Sequence, residues 1–295
     1  NFRGGAMTVS KWIWVDAPAK RDDAARDISR APVIGLDTEY DSFRYFRERL
    51  CLLQVYSGEM SYVFDPLDTL DFSFLGDVFF SPAQVKVIHA GDNDIRILKR
   101  DYGFSFRNVF DTHRAAALLG RKELSLAALI RHYFQAGFEK QKKLQRSRWE
   151  NRPLTAEQLR YAVQDTVYLI DLYVKLQEEL ARAGLLDTAV SLFEGIAAVT
   201  WHEKTMNNLG HRYIHGYDSL SAAEQERLKR LYRWRFQKAK SSNRAIFMIC
   251  TDQELLKLAR TASPSSLDGL ISGAGLSRNK AQRYGSEFLD ILVGK

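Results

Sequence analysis

A short apolar stretch that runs into two carboxylates constrains this chain more than any other feature. Residues 33–40 read VIGLDTEY, and its β-forming residues, with no charge before Asp37, predict a strand buried on both faces. Asp37 and Glu39 are two residues apart, a spacing that places both carboxylates on one face of a strand. Two carboxylates that converge near a core are costly to ionise together, and a divalent cation commonly offsets that cost. The stretch therefore predicts a metal site at the end of a strand.

Further strands and helices alternate with this stretch. Residues 50–56 and 60–64 flank a Ser-Gly turn and are typical of a β-hairpin. We predict two more strands at 85–89 and 109–110, and helices at 73–80, 92–100, 112–119 and 124–135. This alternation indicates an α/β fold with a mixed β-sheet and flanking helices.

The best helix signal in the chain begins at Thr155. Thr155 and Gln158 have the spacing of a capping box, and the helical pattern continues to about residue 182 before Gly184. Tyr161 and Asp165 lie four residues apart on this helix and therefore share one face. The helix thus presents a phenol and a carboxylate together.

A fourth carboxylate, Asp94, lies just inside the helix that follows the strand at 85–89. The carboxyl ends of neighbouring strands meet at one edge of an open sheet, so we expect Asp94 to face Asp37 and Glu39. Four carboxylates, with Asp165, suit magnesium or manganese. Two such ions about 4 Å apart stabilise the attacking and leaving oxygens of a phosphodiester displacement. In that chemistry Tyr161 would orient or deprotonate the attacking water.

Other polar residues near these positions have simpler structural interpretations. We predict that His89 is a buried, hydrogen-bonded core residue and that Asp111 and Asp92 cap helices. A lone DxE motif is most often a solvated strand end, and a lone YxxxD motif is weaker still. The ordered set carries the prediction, rather than any single member.

Taken in order, the motifs DxE, HxxxxD and YxxxD resemble the DEDDy branch of the 3′–5′ exonucleases, close to the ribonuclease D family. Asp37 and Glu39 match the first motif, Asp94 the second, and Tyr161 with Asp165 the third. Supporting matches over about residues 30–180 are CLLQV at 51–55, FDPL at 64–67, FDT at 110–112 and SRWENRPLT at 147–155.

This resemblance implies a ribonuclease-H-like sheet, two divalent metal ions (Mg²⁺ or Mn²⁺), and the five matching residues as the catalytic set. It also implies stepwise release of nucleoside 5′-monophosphates from the 3′ end of RNA. Family substrates include precursor transfer RNAs and other stable RNAs.

The C-terminal part of the chain has a different sequence pattern. Residues 217–295 predict short helices, and 14 Lys and Arg against 8 Asp and Glu give this segment a charge of +6. IFMICTDQEL, GLSRNKAQRYG and the leucine pattern before Trp234 resemble the HRDC domain. Bacterial ribonuclease D typically has two such domains and exosome-type exonucleases one. The chain has room for one, which leaves the subfamily open.

We therefore predict four segments. Residues 1–10 resemble a tag, 11–184 form the exonuclease domain, 185–216 a helical connector, and 217–295 an HRDC domain. Trp234 is assigned to the core of the last of these.

The chain has a net charge of +7 and a pI near 9.3, which favours a polyanionic partner. Base stacking and backbone contacts near the metal site are assigned to Arg44, Tyr45, Phe46 and Arg47. Phosphate contacts are assigned to a basic loop (Lys140, Lys142, Lys143, Arg146 and Arg148) and to the C-terminal domain (Arg244, Arg278, Lys280 and Arg283). A solvated charged loop is the alternative for the first two groups.

Composition also bears on the cellular compartment and the partners of the chain. Two distant cysteines in apolar surroundings indicate reduced thiols and a cytoplasmic location. We expect no membrane association and no obligate protein partner, only RNA with a free 3′ end. A DNA exonuclease, similar to the exonuclease domain of the Werner syndrome helicase, is the alternative function. A non-catalytic RNA-binding scaffold is a third hypothesis.

Overall fold

The computed structural model describes residues 11–136, 142–261 and 266–294. The chain divides into two compact units. The first contains the chain up to Asp41 and Leu50–His202, and the second contains Ser42–Arg49 and the chain from Glu203 onward. The eight residues 42–49, which join two strands of the first unit, are therefore part of the second.

The first unit is built on a mixed six-stranded sheet. Its strands are β1 (Trp12–Val15), β2 (Val33–Asp41), β3 (Arg49–Tyr56), β4 (Ser61–Phe64), β5 (Val85–Ile88) and β6 (Val109–Asp111). They lie in the order β1-β4-β3-β2-β5-β6. The β3–β4 hairpin is antiparallel, whereas the pairs β1–β4, β2–β5 and β5–β6 are parallel. The predicted mixed sheet is confirmed, and β2 occupies an interior position in it.

Helices flank this sheet. They are α1 (Pro18–Arg30), α2 (Leu75–Phe80), α3 (Asp92–Tyr102), α4 (Thr112–Leu118), α5 (Leu126–Phe134), α6 (Lys142–Gln145), α7 (Ala156–Val167), α8 (Leu169–Arg182) and α9 (Leu186–Ala197). Helix α9 buries Ala189, Phe193 and Ile196 in the core of the first unit. The sequence interpretation of this stretch as part of a connector is therefore wrong, because its apolar face packs against the first unit.

The long helix predicted from Thr155 is two helices. Both bonds of the predicted capping box, between Thr155 and Gln158, are present at the start of α7. The helix ends at Val167 and a new one begins at Leu169. The end of α7 packs on Gly35 of β2, where an added Cβ would lie 2.8 Å from the carbonyl oxygen of Thr166. Glycine at this position allows the helix backbone to approach the strand.

The second unit is helical apart from residues 42–49. Its helices are α10 (Ala222–Ser241), α11 (Ile246–Ile249), α12 (Asp252–Arg260), α13 (Leu267–Ala274) and α14 (Arg278–Val293), preceded by short 3₁₀ turns at Gly210–Tyr213 and Tyr217–Ser219. Capping boxes at Ser221 and Thr251 begin α10 and α12. No helix within the described ranges has the length and apolar character needed to cross a membrane.

Candidate active site

The end of β2 brings three carboxylates together. Asp37 and Glu39 lie on one face of this strand, and Asp165 of α7 meets them there. One oxygen from each side chain lies within 4.8 Å of the other two. Glu39 and Asp165 are 8% and 3% exposed. Convergent carboxylate oxygens at this separation, on side chains that are buried or half-buried, are suited to a hard divalent cation.

Asp94 approaches the same strand by a different route. It lies in the first turn of α3, directly after β5, which pairs with β2. The hydroxyl of Thr38, between Asp37 and Glu39, donates a hydrogen bond to the buried Asp94 carboxylate. The structure therefore places Asp94 beside β2 at Thr38, with the other three carboxylates grouped separately.

Tyr161 faces the carboxylate group from α7. Burial, reinforced by the charges of Asp165, Glu39 and Asp37, raises the pKa of Tyr161 above its ordinary value. Its hydroxyl is hydrogen-bonded to Asp165. The ring also packs near the fully buried Trp149, with centroids 6.0 Å apart. The predicted spacing of four residues thus places phenol and carboxylate at one site.

A partly buried ion pair, which the sequence did not indicate, fixes the segment that precedes α7. Arg152 donates to both carboxylate oxygens of Asp65, at 2.5 and 2.6 Å, and to the carbonyl of Cys51 at 2.7 Å. Asp65 is 9% exposed. Planar bidentate geometry makes such pairs strong. The FDPL and SRWENRPLT motifs are thus joined by this pair, a structural role that their charges alone do not reveal.

Three residues of the predicted basic loop are exposed. Lys143 lies in α6, and Arg146 and Arg148 follow before α7, all at the surface. Lys140 lies outside the described residues, as does the side chain of Lys142. Phosphate binding by this loop stays a prediction.

Segment 42–49 differs from what the sequence suggested. Phe46 is 1% exposed and packs edge-on against Phe236 of α10, with ring centroids 5.2 Å apart. Its predicted role in base stacking is wrong, because a core side chain has no face open to a nucleobase. Arg47 pairs with Glu203. Arg44 and Tyr45 are half-buried.

An exposed aromatic pair lies in the same unit and was not singled out by the sequence. Phe43 is 67% exposed and Phe247 of α11 is 45% exposed, and their ring centroids are 4.9 Å apart. The pairing depends on residues about two hundred positions apart, so no local pattern indicates it.

The four basic residues predicted in the C-terminal unit have different environments. Arg278 and Arg283 are exposed, and Arg244 is half-buried. Lys280, by contrast, binds both carboxylate oxygens of Glu254, at 2.9 and 2.7 Å. Glu254 also closes the capping box of α12. Lys280 therefore has a structural partner that competes with phosphate binding.

The residues with predicted structural roles mostly keep them. Asp111 caps α4 through the Arg114 amide and also accepts from the Gly91 amide. His89 is half-buried and hydrogen-bonded to Thr112, at 2.9 Å. Trp234 is partly buried, and its indole donates to Glu287 at 2.7 Å. The predicted cap at Asp92 is wrong, since Gly91 occupies the N-cap position.

The mixed sheet, its convergent carboxylates and the facing tyrosine define a class of nuclease. The sequence profile described as "3'-5' exonuclease" matches residues 12–181, more than half of the chain, and the HRDC domain profile matches residues 224–292. The chain belongs to the 3′–5′ exonuclease family, whose members hydrolyse phosphodiester bonds, and carries an HRDC domain.

Individual relatives refine this assignment. The chain is 29% identical over 273 residues to exosome complex component 10 homolog of Drosophila melanogaster, covering 90% of this chain and 30% of that protein. It is 29% identical over 276 residues to ribonuclease D of Escherichia coli, covering 92% of this chain and 72% of that protein. In fold it is similar to the catalytic core of RRP6 from Trypanosoma brucei, with a TM-score of 0.88 and 22% identity, over 98% of this chain and 81% of that one.

Proposed function

We propose that this chain is a metal-dependent 3′–5′ exoribonuclease that releases nucleoside 5′-monophosphates one at a time. The observation that supports this most directly is the group of Asp37, Glu39 and Asp165 with Tyr161 against it. The exonuclease and HRDC profiles support the reaction class. The relatives named ribonuclease D and exosome component support RNA as the substrate.

The carboxylates fit divalent metal ions, because their oxygens are close together and hard and two of the three side chains are buried. Asp37, Glu39 and Asp165 would hold Mg²⁺ or Mn²⁺, and Asp94 would take part in holding a second ion. When bound, two such ions stabilise the attacking and leaving oxygens of the displacement.

The chain's own residues supply position and orientation. Tyr161, protonated and held by Asp165 and Trp149, would orient the attacking water through its hydroxyl. Thr38 fixes one oxygen of Asp94. The pair formed by Arg152 and Asp65 holds the segment that leads into α7, and therefore the helix that carries Tyr161.

The charges of the two units support separate roles, in binding a polyanion and in catalysis. The second unit has 19 Lys and Arg against 10 Asp and Glu, a charge of +9, so the first has −2 of the total of +7. A polyanion is therefore attracted chiefly by the second unit, while the acidic first unit supplies the chemistry. Phe43, with its exposed ring, replaces Phe46 as the proposed site of base stacking.

We propose processing of the 3′ ends of precursor transfer RNA or other stable RNA as the cellular role. An exosome-type role is the alternative, supported by the relative named exosome complex component 10 homolog. A DNA exonuclease is a second alternative, because the catalytic residues themselves do not distinguish the two sugars. Both cysteines are buried and unbridged, which agrees with a reducing compartment such as the cytoplasm.

The test uses an RNA hairpin with a single-stranded 3′ tail, labelled at its 5′ end, and a DNA strand of the same sequence. Each is incubated with the full chain in Mg²⁺, in Mn²⁺ and with a chelator. We expect a metal-dependent RNA ladder that shortens from the 3′ end and slows at the duplex. A ladder on DNA alone would favour the DNA alternative, and no cleavage of either strand by folded protein would favour the scaffold.

A further inference from the structure

Residues 42–49 leave the sheet at the end of β2 and return at the start of β3, but they fold as part of the helical second unit. Phe46 is the buried anchor of this segment, in the core that contains Leu228, Leu231 and Phe236. The main chain is held as well, since the Arg44 carbonyl accepts from the Ala245 amide at 2.9 Å.

Asn243 makes a further bond to the main chain of the segment. It follows α10 with a left-handed φ of 46°, and its Oδ1 accepts from the Arg47 amide at 2.8 Å. Glycine is the residue most often found in this backbone region at the end of a helix. Glycine, however, has no side chain with which to accept the Arg47 amide. Asn243 therefore combines a helix end with an acceptor for the segment.

Charged contacts surround the bond between the Arg47 amide and Asn243. Glu203 pairs with the Arg47 guanidinium, at 2.8 Å from Nε, and with Lys240 at 2.5 Å. The Lys204 ammonium donates to the Phe46 carbonyl at 2.6 Å. Three residues of the segment, Arg44, Phe46 and Arg47, are thus bonded to or buried in the helical unit, which holds the segment within that unit.

The segment is joined directly to the catalytic strand. Asp41, the last residue of β2, is followed by Ser42, and Glu39 lies only eight residues before Arg47. A strand end is free to fray unless its continuation is held. A continuation held at three residues therefore restrains the backbone that carries Asp37 and Glu39.

We propose that Asn243 is a positioning residue for the active site: by binding the Arg47 amide it fixes segment 42–49, and through the continuous backbone it fixes the β2 carboxylates Asp37 and Glu39. The inference rests on the proposed function for its effect on rate. Its effect on metal binding is independent of any RNA chemistry.

The test compares Asn243→Gly with Asn243→Asp in the full chain. Asn243→Gly preserves the left-handed helix end and removes the acceptor, whereas Asn243→Asp keeps both an acceptor and tolerance of that conformation. Manganese alone is titrated into each protein by calorimetry. Rates on the tailed RNA are then measured to separate kcat from KM.

We expect Asn243→Gly to weaken Mn²⁺ binding and lower kcat by about fivefold each, the effect of one net hydrogen bond, with KM unchanged. Asn243→Asp should behave as the unmodified chain. Asn108→Gly is the matched control, because Asn108 also has a left-handed φ, of 49°, but its side chain bonds Pro82. Asn108→Gly should alter neither Mn²⁺ binding nor kcat.

Three outcomes would overturn the proposal: unchanged Mn²⁺ binding and kcat in Asn243→Gly, a change confined to KM, or failure of Asn243→Asp to restore the measured values. The second would assign the segment to substrate binding and the third to folding alone. A chain that binds Mn²⁺ but cleaves no nucleic acid would overturn the proposed function only, since the titration still reports on Asn243.

Discussion

Single residues at the end of β2 have distinct tasks. Asp37 and Glu39 converge with Asp165, while Thr38, pointing to the opposite face of the strand, holds Asp94. The alternation of a β-strand produces both results, because consecutive side chains point to opposite faces. One tripeptide therefore supplies two of the carboxylates that the proposed chemistry requires and positions a third.

Replacing Asp37 with asparagine should abolish turnover and leave the fold intact. The amide keeps the size of the carboxylate but removes the charge that would hold a divalent ion. We expect less than about 1% of the unmodified rate on the tailed RNA, with an unchanged melting temperature. Turnover above that level would contradict the two-metal assignment.

Replacing Tyr161 with phenylalanine should lower turnover with little loss of RNA affinity. The ring and its packing on Trp149 remain, while the hydroxyl near Asp165 is lost. We expect kcat to fall by about 100-fold, the lower range for a positioned proton-transfer or orienting group. If KM rose in proportion, Tyr161 would belong to substrate binding.

Lys86 of β5 gives the first unit a pH dependence. Its side chain is 0% exposed and donates to the carbonyls of Ser81 and Gln84, at 2.6 and 2.7 Å. Burial lowers the pKa of Lys86 to about 8 in the folded chain, from 10.5. Between these values the unfolded chain binds a proton that the folded chain does not, so the free energy of unfolding rises with pH.

We expect this rise to reach at most about 3 kcal/mol between pH 8 and pH 10.5. Lys86→Met should lack it, because no group then titrates at this position. Urea unfolding of both proteins across this range measures the difference in slope, in which the other titrating groups cancel. Parallel curves would show that Lys86 keeps an ordinary pKa.

At the scale of elements, the site depends on how closely α7 packs on β2. Asp165 reaches the strand because Gly35 lets the Thr166 carbonyl approach. The partly buried pair of Arg152 and Asp65 fixes the segment that enters α7. The position of α7 on β2 is thus fixed near both ends of the helix.

Gly35→Ala should therefore disturb both stability and metal binding. The new methyl would lie 2.8 Å from the Thr166 carbonyl oxygen and 3.3 Å from the Leu169 Cβ, so α7 and α8 must shift. We expect a loss of about 1–3 kcal/mol in the free energy of unfolding and weaker Mn²⁺ binding.

Gly195→Ala is the matched control for this variant. Gly195 lies inside α9, and an added Cβ there would have no atom within 4 Å. Alanine in a helix interior is expected to be neutral or stabilising by up to about 1 kcal/mol. A Gly35→Ala chain as stable as this control would refute the close packing of α7 on β2.

At the scale of the whole molecule, charge and chemistry are divided between the units. The second unit has the +9 charge and the first has the acidic site. The second unit also contains residues 42–49, so deleting the chain from Glu203 onward would remove the core around Phe46 as well as the positive charge. Point variants therefore test phosphate binding more cleanly than truncation.

Arg278→Ala with Arg283→Ala should reduce the salt dependence of RNA binding. Each phosphate contact contributes about 0.7 to the slope of log affinity against log salt for single strands, so the slope should fall by about 1.4. Lys280→Met is the control, since Glu254 already neutralises its ammonium. Fluorescence anisotropy in Ca²⁺ at several salt concentrations gives the slopes, and equal slopes for all three proteins would exclude phosphate contacts by these arginines.

The sequence by itself determined the features that depend on near neighbours. Two-residue alternation placed Asp37 and Glu39 on one face, and three-residue spacing located the capping box at Thr155. Four-residue spacing brought Tyr161 and Asp165 together. These features are local, because the periodicity of helices and strands relates residues that are only two to four positions apart.

Only the tertiary structure decided the contacts between distant residues. The bond from Arg152 to Asp65 spans 87 positions, and the bond from Arg47 to Asn243 spans 196. The sequence assigned Phe46 to base stacking. Its burial depends on residues far along the chain, such as Phe236. An aromatic side chain in a basic loop has the same local pattern whether it faces solvent or a core. The surface it meets on folding decides its role, and that surface comes from the far end of the chain.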